Sequence, residues 1–255
     1  MSTSSLTAPA IAASKLQPVS FARLLGVQLR IWRSSRAVLI AAASAVLLGV
    51  CAVAFAVGTH RGVLDADAVG SKFDTAEMVF SYFWPIIGAV AGASAFTSRW
   101  ALVVLVLAPR RGRWLLANLT SFLLVPAVTV LVFLVAAFLT TAALGADAEH
   151  AAAVFSRSGP VLTVTVVNAA AGFLLGFALR SVTVAIVAVF LTPLLLPLVV
   201  RSNDVIAWLS LDTITTALSS GTLGSQNGLP IITAALLWLV APAYVAWMRL
   251  RSSAG

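Results

Sequence analysis

Charged residues are scarce in this 255-residue chain: only 9% of its residues are charged, whereas 61% are hydrophobic. A soluble domain of this length needs far more charge on its surface to stay in solution. The composition therefore excludes an ordinary soluble enzyme or binding domain. It favours an all-α integral membrane protein, in which apolar side chains face lipid.

Cysteine and intramembrane ionisable groups are also nearly absent. Cys51 is the single cysteine, so neither an intrachain disulfide nor a thiolate metal cluster can form, and we expect it to be a small buried apolar residue. His60 and His150 lie outside the apolar runs, and no acid or histidine lies within one. We therefore assign no residue to catalysis or to metal binding.

A phosphate-binding loop is missing as well. Such a loop needs Gly-Lys followed by Ser or Thr, so that its backbone and its lysine hold the phosphates. The only lysines are Lys15 and Lys72, in the sequences ASKL and GSKF. We therefore expect no ATP hydrolysis and no cofactor in this chain.

Six apolar runs are present, and each is long enough for a transmembrane helix of about 20 residues. The predicted spans are residues 37–58, 78–98, 115–141, 160–179, 181–200 and 229–248. Arg180 and Ser181 separate the fourth span from the fifth, since one helix over both would be about twice as long as a bilayer needs. Residues 1–18 are rich in Ser, Thr, Ala and Pro and are expected to form a disordered cytoplasmic leader.

Basic residues are distributed unequally between the two sets of connections. Twelve lie before the first span, after the sixth or in alternate connections: Lys15, Arg23, Arg30, Arg33, Arg36, Arg99, Arg110, Arg111, Arg113, Arg180, Arg249 and Arg251. The other connections hold four basic residues and all eight acidic ones. The positive-inside rule then predicts cytoplasmic N and C termini. The net charge of +8 is thus explained by topology, and we expect no nucleic-acid partner.

Residues 19–36 have the pattern of an amphipathic helix lying in the cytoplasmic interface. A helical wheel places Phe21, Leu24, Leu25, Leu29, Ile31 and Trp32 on one side, with Arg23 and Arg30 opposite and Arg33 near the end. Trp32 would lie at headgroup depth. The alternative is that the segment is only the basic flank of the first span.

The connection between the second and third spans, residues 99–114, ends in Pro109-Arg110-Arg111-Gly112-Arg113-Trp114. Pro109 should end a preceding helix, and Gly112 allows a sharp change of direction. The residues alone do not decide between a docking element with a basic tip and a simple topology signal.

The external segment 202–228 is short and apolar in its first half, through Val205, Ile206, Trp208, Leu209, Ile214 and Leu218. We expect one or two short helices dipping into the outer leaflet. They would either cap an exit path or lie on the surface without a function.

The order of these elements resembles the permease subunit of type-two ABC exporters. The best local match is WALVVLVLAPRRGRWLLANL, residues 100–119, although Trp100-Ala101 replaces the usual Gly-Thr and Asn118 the usual Lys. The resemblance implies that residues 109–114 belong to a coupling helix seated on a cytoplasmic ATPase, with the amphipathic elbow helix as a second contact. It also implies two permease subunits and two ATPases, which bind ATP and Mg, in a plasma membrane. The excess of Arg over Lys suggests a bacterial one.

Few polar side chains lie inside the spans. The candidates for a translocation path are Ser81, Tyr82, Ser94, Thr163, Thr165 and Asn168. The remaining lining would be apolar, so we expect a lipid-like or hydrophobic drug-like cargo. Gly88-x-x-x-Gly92 and Gly172-x-x-x-Gly176 allow close helix packing, either within the chain or between subunits. The alternative functions are an ATP-independent secondary transporter or channel, and an accessory membrane subunit.

Overall fold

The computed structural model describes residues 20–59, 66–97, 111–143, 158–199, 208–220 and 228–252; this part of the chain is helical and holds no β-strand. In chain order the helices are α1 (Phe21–Ser34), α2 (Arg36–Thr59), α3 (Ala66–Thr97), α4 (Arg111–Ala143), α5 (Ser158–Leu179), α6 (Val182–Val199), α7 (Leu211–Ser220), α8 (Gly228–Ala235) and α9 (Ala241–Ser252). A π-helical turn, Leu236–Val240, joins α8 to α9. We call these last three elements together the terminal helix.

Within the described residues, five helical segments are long and apolar enough to cross a membrane: Arg36–Phe55, Glu77–Phe96, Arg111–Ala143, Ser158–Leu179 and Gly228–Arg251. Each overlaps a predicted span. The predicted fifth span corresponds to α6, in which the described apolar stretch, Val182–Thr192, is shorter than these five. The described part of the chain is therefore all-helical, and its five long apolar helices are candidate membrane spans.

Helices α3 and α4 begin four or more residues before the predicted spans. Helix α3 begins at Ala66, so most of the predicted external connection before residue 78 is helical instead of a loop. Helix α4 begins at Arg111, four residues before the predicted span. Sequence hydropathy predicts which part of a helix is apolar enough to lie in lipid. The helix itself can extend beyond that part, because its backbone hydrogen bonds can continue into the polar segment.

Helices α3 and α5 run parallel and pack closely through their glycines. An added Cβ on Gly172 or Gly176 would lie 2.0–2.1 Å from the backbone oxygen of Pro85 or Ala89. On the facing helix, an added Cβ at Gly92 would lie 2.1 Å from Phe173 O. Both glycine pairs are therefore used for packing within one chain, which is one of the two uses that the sequence left open.

Helix α5 lies at the centre of the bundle, in contact with α3, α4, α6, α7 and the terminal helix, and most of its residues are buried. Helix α2 and the outer faces of α4 and the terminal helix carry exposed apolar side chains, such as Phe55, Leu131 and Val240. Cys51 is also exposed, on α2. The expectation that Cys51 is buried is therefore wrong: an apolar run in a membrane helix has a lipid face, and a helix hydrophobic on all sides does not reveal which face that is.

Within the external segment, residues 202–207 and 221–227 lie outside the described residues. Helix α7 packs on α5 with Ile214 buried, which agrees with a short helix lying against the bundle. Trp238 Nε1 donates to Leu209 O at 2.8 Å, so the π-helical turn of the terminal helix binds the chain just before α7. The π turn directly precedes Pro242, which has no N–H to continue the α-helical pattern.

Candidate functional site

The structure describes four of the six predicted coupling residues. Pro109 and Arg110 lie outside the described residues, and Arg111, Gly112, Arg113 and Trp114 form the first described turn of α4. The expected change of direction at Gly112 is wrong, because Gly112 is helical. Among the described residues, an added Cβ there would meet the indole of Trp247 alone, at 3.8 Å or more, so the position leaves room beside that ring.

Trp114 is 2% exposed and belongs to the interior rather than to a docking surface. Its ring centroid lies 5.6 Å from that of Phe177 and 6.2 Å from that of Phe96, and those two rings are 4.4 Å apart. This aromatic cluster joins α3, α4 and α5 at the end of the bundle where α4 begins.

Three arginines bind backbone carbonyls of neighbouring helices at the same end. Arg111 Nη1 donates to Leu250 O at 2.6 Å, and Arg180 Nη2 donates to Arg249 O at 3.0 Å. Arg249 Nη1 in turn donates to Ala178 O. The last carbonyls of a helix have no partner within it and carry partial negative charge, so guanidinium donors from other helices satisfy them. We call this set, which links α4, α5 and α9, the arginine clamp.

Arg180 occupies the turn between α5 and α6 in a left-handed backbone conformation, with φ of 55°. Its guanidinium carbon lies 4.6 Å from the centroid of the Phe96 ring, an arrangement typical of a cation–π contact. Burial lowers the pKa of Arg180 from its ordinary value, and the positive charge of Arg249 lowers it further. An arginine stays protonated despite such a shift, so Arg180 is a permanent cation at this turn.

Helix α1 packs against α4, a contact that the sequence did not predict. Trp32 is buried, its Nε1 donates to Ser121 Oγ at 3.1 Å, and its ring meets Phe122 edge-on at 5.5 Å. Gln28 is 5% exposed, whereas Ile31, on the predicted apolar side, is 36% exposed. Positions 28 and 32 are one turn apart, so the side that meets α4 is rotated from the purely apolar side.

The other predicted elbow residues are arranged as an amphipathic helix requires. Phe21 and Leu25 are half-buried, and Arg23, Arg30 and Arg33 are exposed. Ser20 Oγ accepts from the N–H of Arg23 at 3.3 Å and caps the helix start.

The six candidate path residues all lie on the packed pair α3 and α5, but their surroundings differ. Ser94 and Thr163 donate to carbonyls of their own helices, Ala91 O and Gly159 O. Ser81 is half-buried, Tyr82 is 50% exposed, Asn168 is 5% exposed and Thr165 is fully buried. A path between two subunits would therefore meet Tyr82, whereas Thr165 and Asn168 face the inside of this bundle.

Two buried polar atoms near the α3–α5 contact have no hydrogen-bond partner among the described residues: Thr165 Oγ1 and Trp84 Nε1. Gly88 faces Ala169 across the contact, and Trp84 and Thr165 each lie one turn before those residues, so the two are at similar depth. Trp84 is not among the residues predicted for a site, because an indole within an apolar run is typical of a core position.

Within the described ranges, no group of three or more His, Cys, Asp or Glu side chains is placed to hold a metal ion. No family model matches the sequence, and no curated protein matches it.

Proposed function

We propose that this chain is the membrane-spanning permease subunit of an ATP-driven exporter of the type-two ABC kind. It would work with two copies of a separate cytoplasmic ATPase, which bind ATP and Mg, and with a second permease subunit in a bacterial plasma membrane. The observation that carries the proposal is the arginine clamp, in which Arg111 of the predicted coupling segment is hydrogen-bonded to the terminal helix.

The clamp supports a coupling role because it offers a short mechanical route. A partner that moves the segment before Arg111 would also move Leu250, to which Arg111 is bonded. The bonds of Arg180 and Arg249 would pass this movement from α9 to the end of α5. Packed elements joined by such bonds move together instead of deforming. Helix α1 would provide the second contact with the ATPase, since Trp32 fixes it to α4.

Six spans with cytoplasmic termini belong to this proposal. Helix α6 has 18 residues, or about 27 Å at 1.5 Å per residue, which is close to the roughly 30 Å hydrocarbon core. The break at Arg180 and Ser181 allows α6 to return across the membrane directly after α5. Helix α1 would lie in the cytoplasmic interface, with Arg23, Arg30 and Arg33 toward lipid phosphates.

The proposed cargo is hydrophobic or lipid-like, and it would move along a path between two permease subunits lined in part by Tyr82. Transport in vesicles that is stimulated only by strongly polar solutes would contradict this assignment of the cargo.

The decisive experiment is purification of the full chain from its native membrane in mild detergent, with mass identification of the proteins that accompany it. We expect a stoichiometric soluble ATPase with a phosphate loop. The variant Arg110→Glu/Arg113→Glu, which leaves the clamp donor Arg111 in place, should lose this partner. The matched control Arg61→Glu/Lys72→Glu makes the same change of charge in the connection predicted to be external and should retain it.

A chain that purifies alone and moves solute in vesicles without ATP would contradict the exporter and support a secondary transporter or channel. One feature favours that second function: Trp84 Nε1 and Thr165 Oγ1 are buried and have no hydrogen-bond partner in the described part of the chain, so a solute could bind them inside a single bundle. If Arg110→Glu/Arg113→Glu still purifies with the ATPase, the docking role of these arginines is contradicted, but the assignment as an exporter is not.

A further inference from the structure

The outward face of α9 changes character along its length. Val240, at the end of the π turn, and Tyr244, Trp247 and Arg251 on α9 are spaced by four, three and four residues and therefore share one helix face. Val240 is 53% exposed, Tyr244 58% and Trp247 37%, and Arg251 is exposed as well. The face runs from aliphatic through aromatic to cationic, and the exposed Leu236 and Leu237 extend its aliphatic end.

The cation at the end of this face is held in place. The guanidinium carbon of Arg251 lies 3.7 Å from the centroid of the Trp247 ring, whose own centroid is 6.3 Å from that of Tyr244. A guanidinium stacked on a ring still has its N–H donors available in its own plane. Arg251 is therefore oriented to bind an anion without losing further side-chain freedom.

The neighbouring helix adds positive potential and space. Arg111 of α4 is hydrogen-bonded to the end of α9 and adds a second cation there. Gly112 has no side chain to cover the Trp247 indole. Two carbonyls of the last turn of α9, Arg249 O and Leu250 O, already accept from arginines, which reduces their repulsion of an anion. Neither α4 nor α9 contains an acidic residue.

We propose that this face binds one anionic phospholipid, with the phosphate on Arg251 beside Arg111 and the glycerol level at Trp247 and Tyr244. One acyl chain would lie along Val240 and Leu237. The order of chemical groups along the helix matches the order along such a lipid. A soluble anion or an acidic protein surface would use the cationic end alone and leave the aromatic and aliphatic parts without a partner. The site does not depend on the existence of an ATPase partner.

The test is native mass spectrometry of the full chain in mild detergent, titrated with phosphatidylglycerol and, separately, with phosphatidylcholine. Wild-type protein should retain phosphatidylglycerol in preference to phosphatidylcholine. Arg251→Gln should reduce its apparent affinity roughly fivefold, the effect of one basic residue near an anionic lipid, and leave phosphatidylcholine unchanged. The control Arg36→Gln removes the same charge from an exposed position at the start of α2 and should change the affinity less than twofold.

Three results would overturn the proposal. Equal retention of the two lipids would show that the site does not recognise charge. An equal loss in Arg36→Gln would show diffuse attraction rather than a site. Displacement of phosphatidylglycerol by millimolar inorganic phosphate would show that the anion alone is bound.

A second measurement covers the case in which Arg251→Gln does not purify. Wild-type protein in vesicles that contain bromine-labelled phosphatidylglycerol should lose more tryptophan fluorescence than in matched vesicles with labelled phosphatidylcholine. Trp247→Phe should remove this excess quenching. Persistence of the full excess in Trp247→Phe would place the bound lipid elsewhere and contradict the site.

Discussion

At the scale of single residues, Arg180 shows how far local sequence information reaches. Its position between two apolar runs predicts the helix break, because a charge in mid-membrane is costly. The contacts of its guanidinium with Arg249 O and the Phe96 ring join residues 69 and 84 positions apart along the chain, and no local pattern indicates such a pair. The same holds for Trp32, whose buried partner Ser121 is 89 positions away.

The left-handed conformation of Arg180 leads to a prediction about its replacements. Both Arg180→Ala and Arg180→Gly lose the bond to Arg249 O, but only glycine adopts φ of 55° without strain. We expect the free energy of unfolding, measured in detergent solution, to be about 1 kcal/mol higher for Arg180→Gly than for Arg180→Ala. Equal stability of the two variants would contradict the backbone conformation of this turn, whatever the guanidinium contributes.

At the scale of elements, the α3–α5 pair is the tightest contact in the described bundle. The sequence shows glycine motifs on two helices, but the motifs do not reveal whether the partner is within the chain or in a second subunit. The structure decides for the chain itself, since Gly172 and Gly176 face Pro85 and Ala89. Close backbone approach of this kind depends on having no side chain at four positions at once.

A single methyl group in this contact should therefore be costly. An added Cβ at Gly172 would lie 2.0 Å from Pro85 O, so Gly172→Ala must push the helices apart and should destabilise the protein by about 1–3 kcal/mol. Gly159→Ala makes the same change on the same helix where no described atom lies within 4 Å, and it should be neutral or slightly stabilising. Thermal unfolding followed by helical circular dichroism compares the two. Similar midpoints for both variants would contradict the contact.

At the scale of the whole molecule, the number of spans is the main question that follows from α6. With six spans the two termini lie on the same side of the membrane, and with five they lie on opposite sides. Ala22→Cys and Ser252→Cys, each introduced into a Cys51→Ala background, place a single thiol near the N terminus or near the C terminus. Labelling of each thiol shows on which side of the membrane that terminus lies. We expect an impermeant thiol reagent, added to intact cells, to leave both sites unlabelled and to label both after lysis. Labelling of only one of them in intact cells would contradict six spans.

The predicted docking segment is described by the structure only from Arg111 onward. The run from Pro109 to Arg113 reads as one basic unit, yet from Arg111 onward it is the first turn of a long helix, and Trp114 is an interior residue. Arg111 contributes to the clamp instead of facing only outward. A charge run cannot show which of its members are used inside the protein, because that depends on the helix that lies beside them.

The sequence by itself determined the helical class, the approximate positions of the long apolar segments, the break at Arg180 and the amphipathic character of α1. These properties depend on hydropathy, periodicity and charge over a few neighbouring residues. The tertiary structure alone decided that α5 is central, that Cys51 is exposed, that Gln28 rather than Ile31 meets α4, and which carbonyl each clamp arginine binds. In the long helices, which are apolar on nearly every side, hydropathy does not distinguish lipid-facing from buried positions. Only the contacts between helices distant in sequence do so.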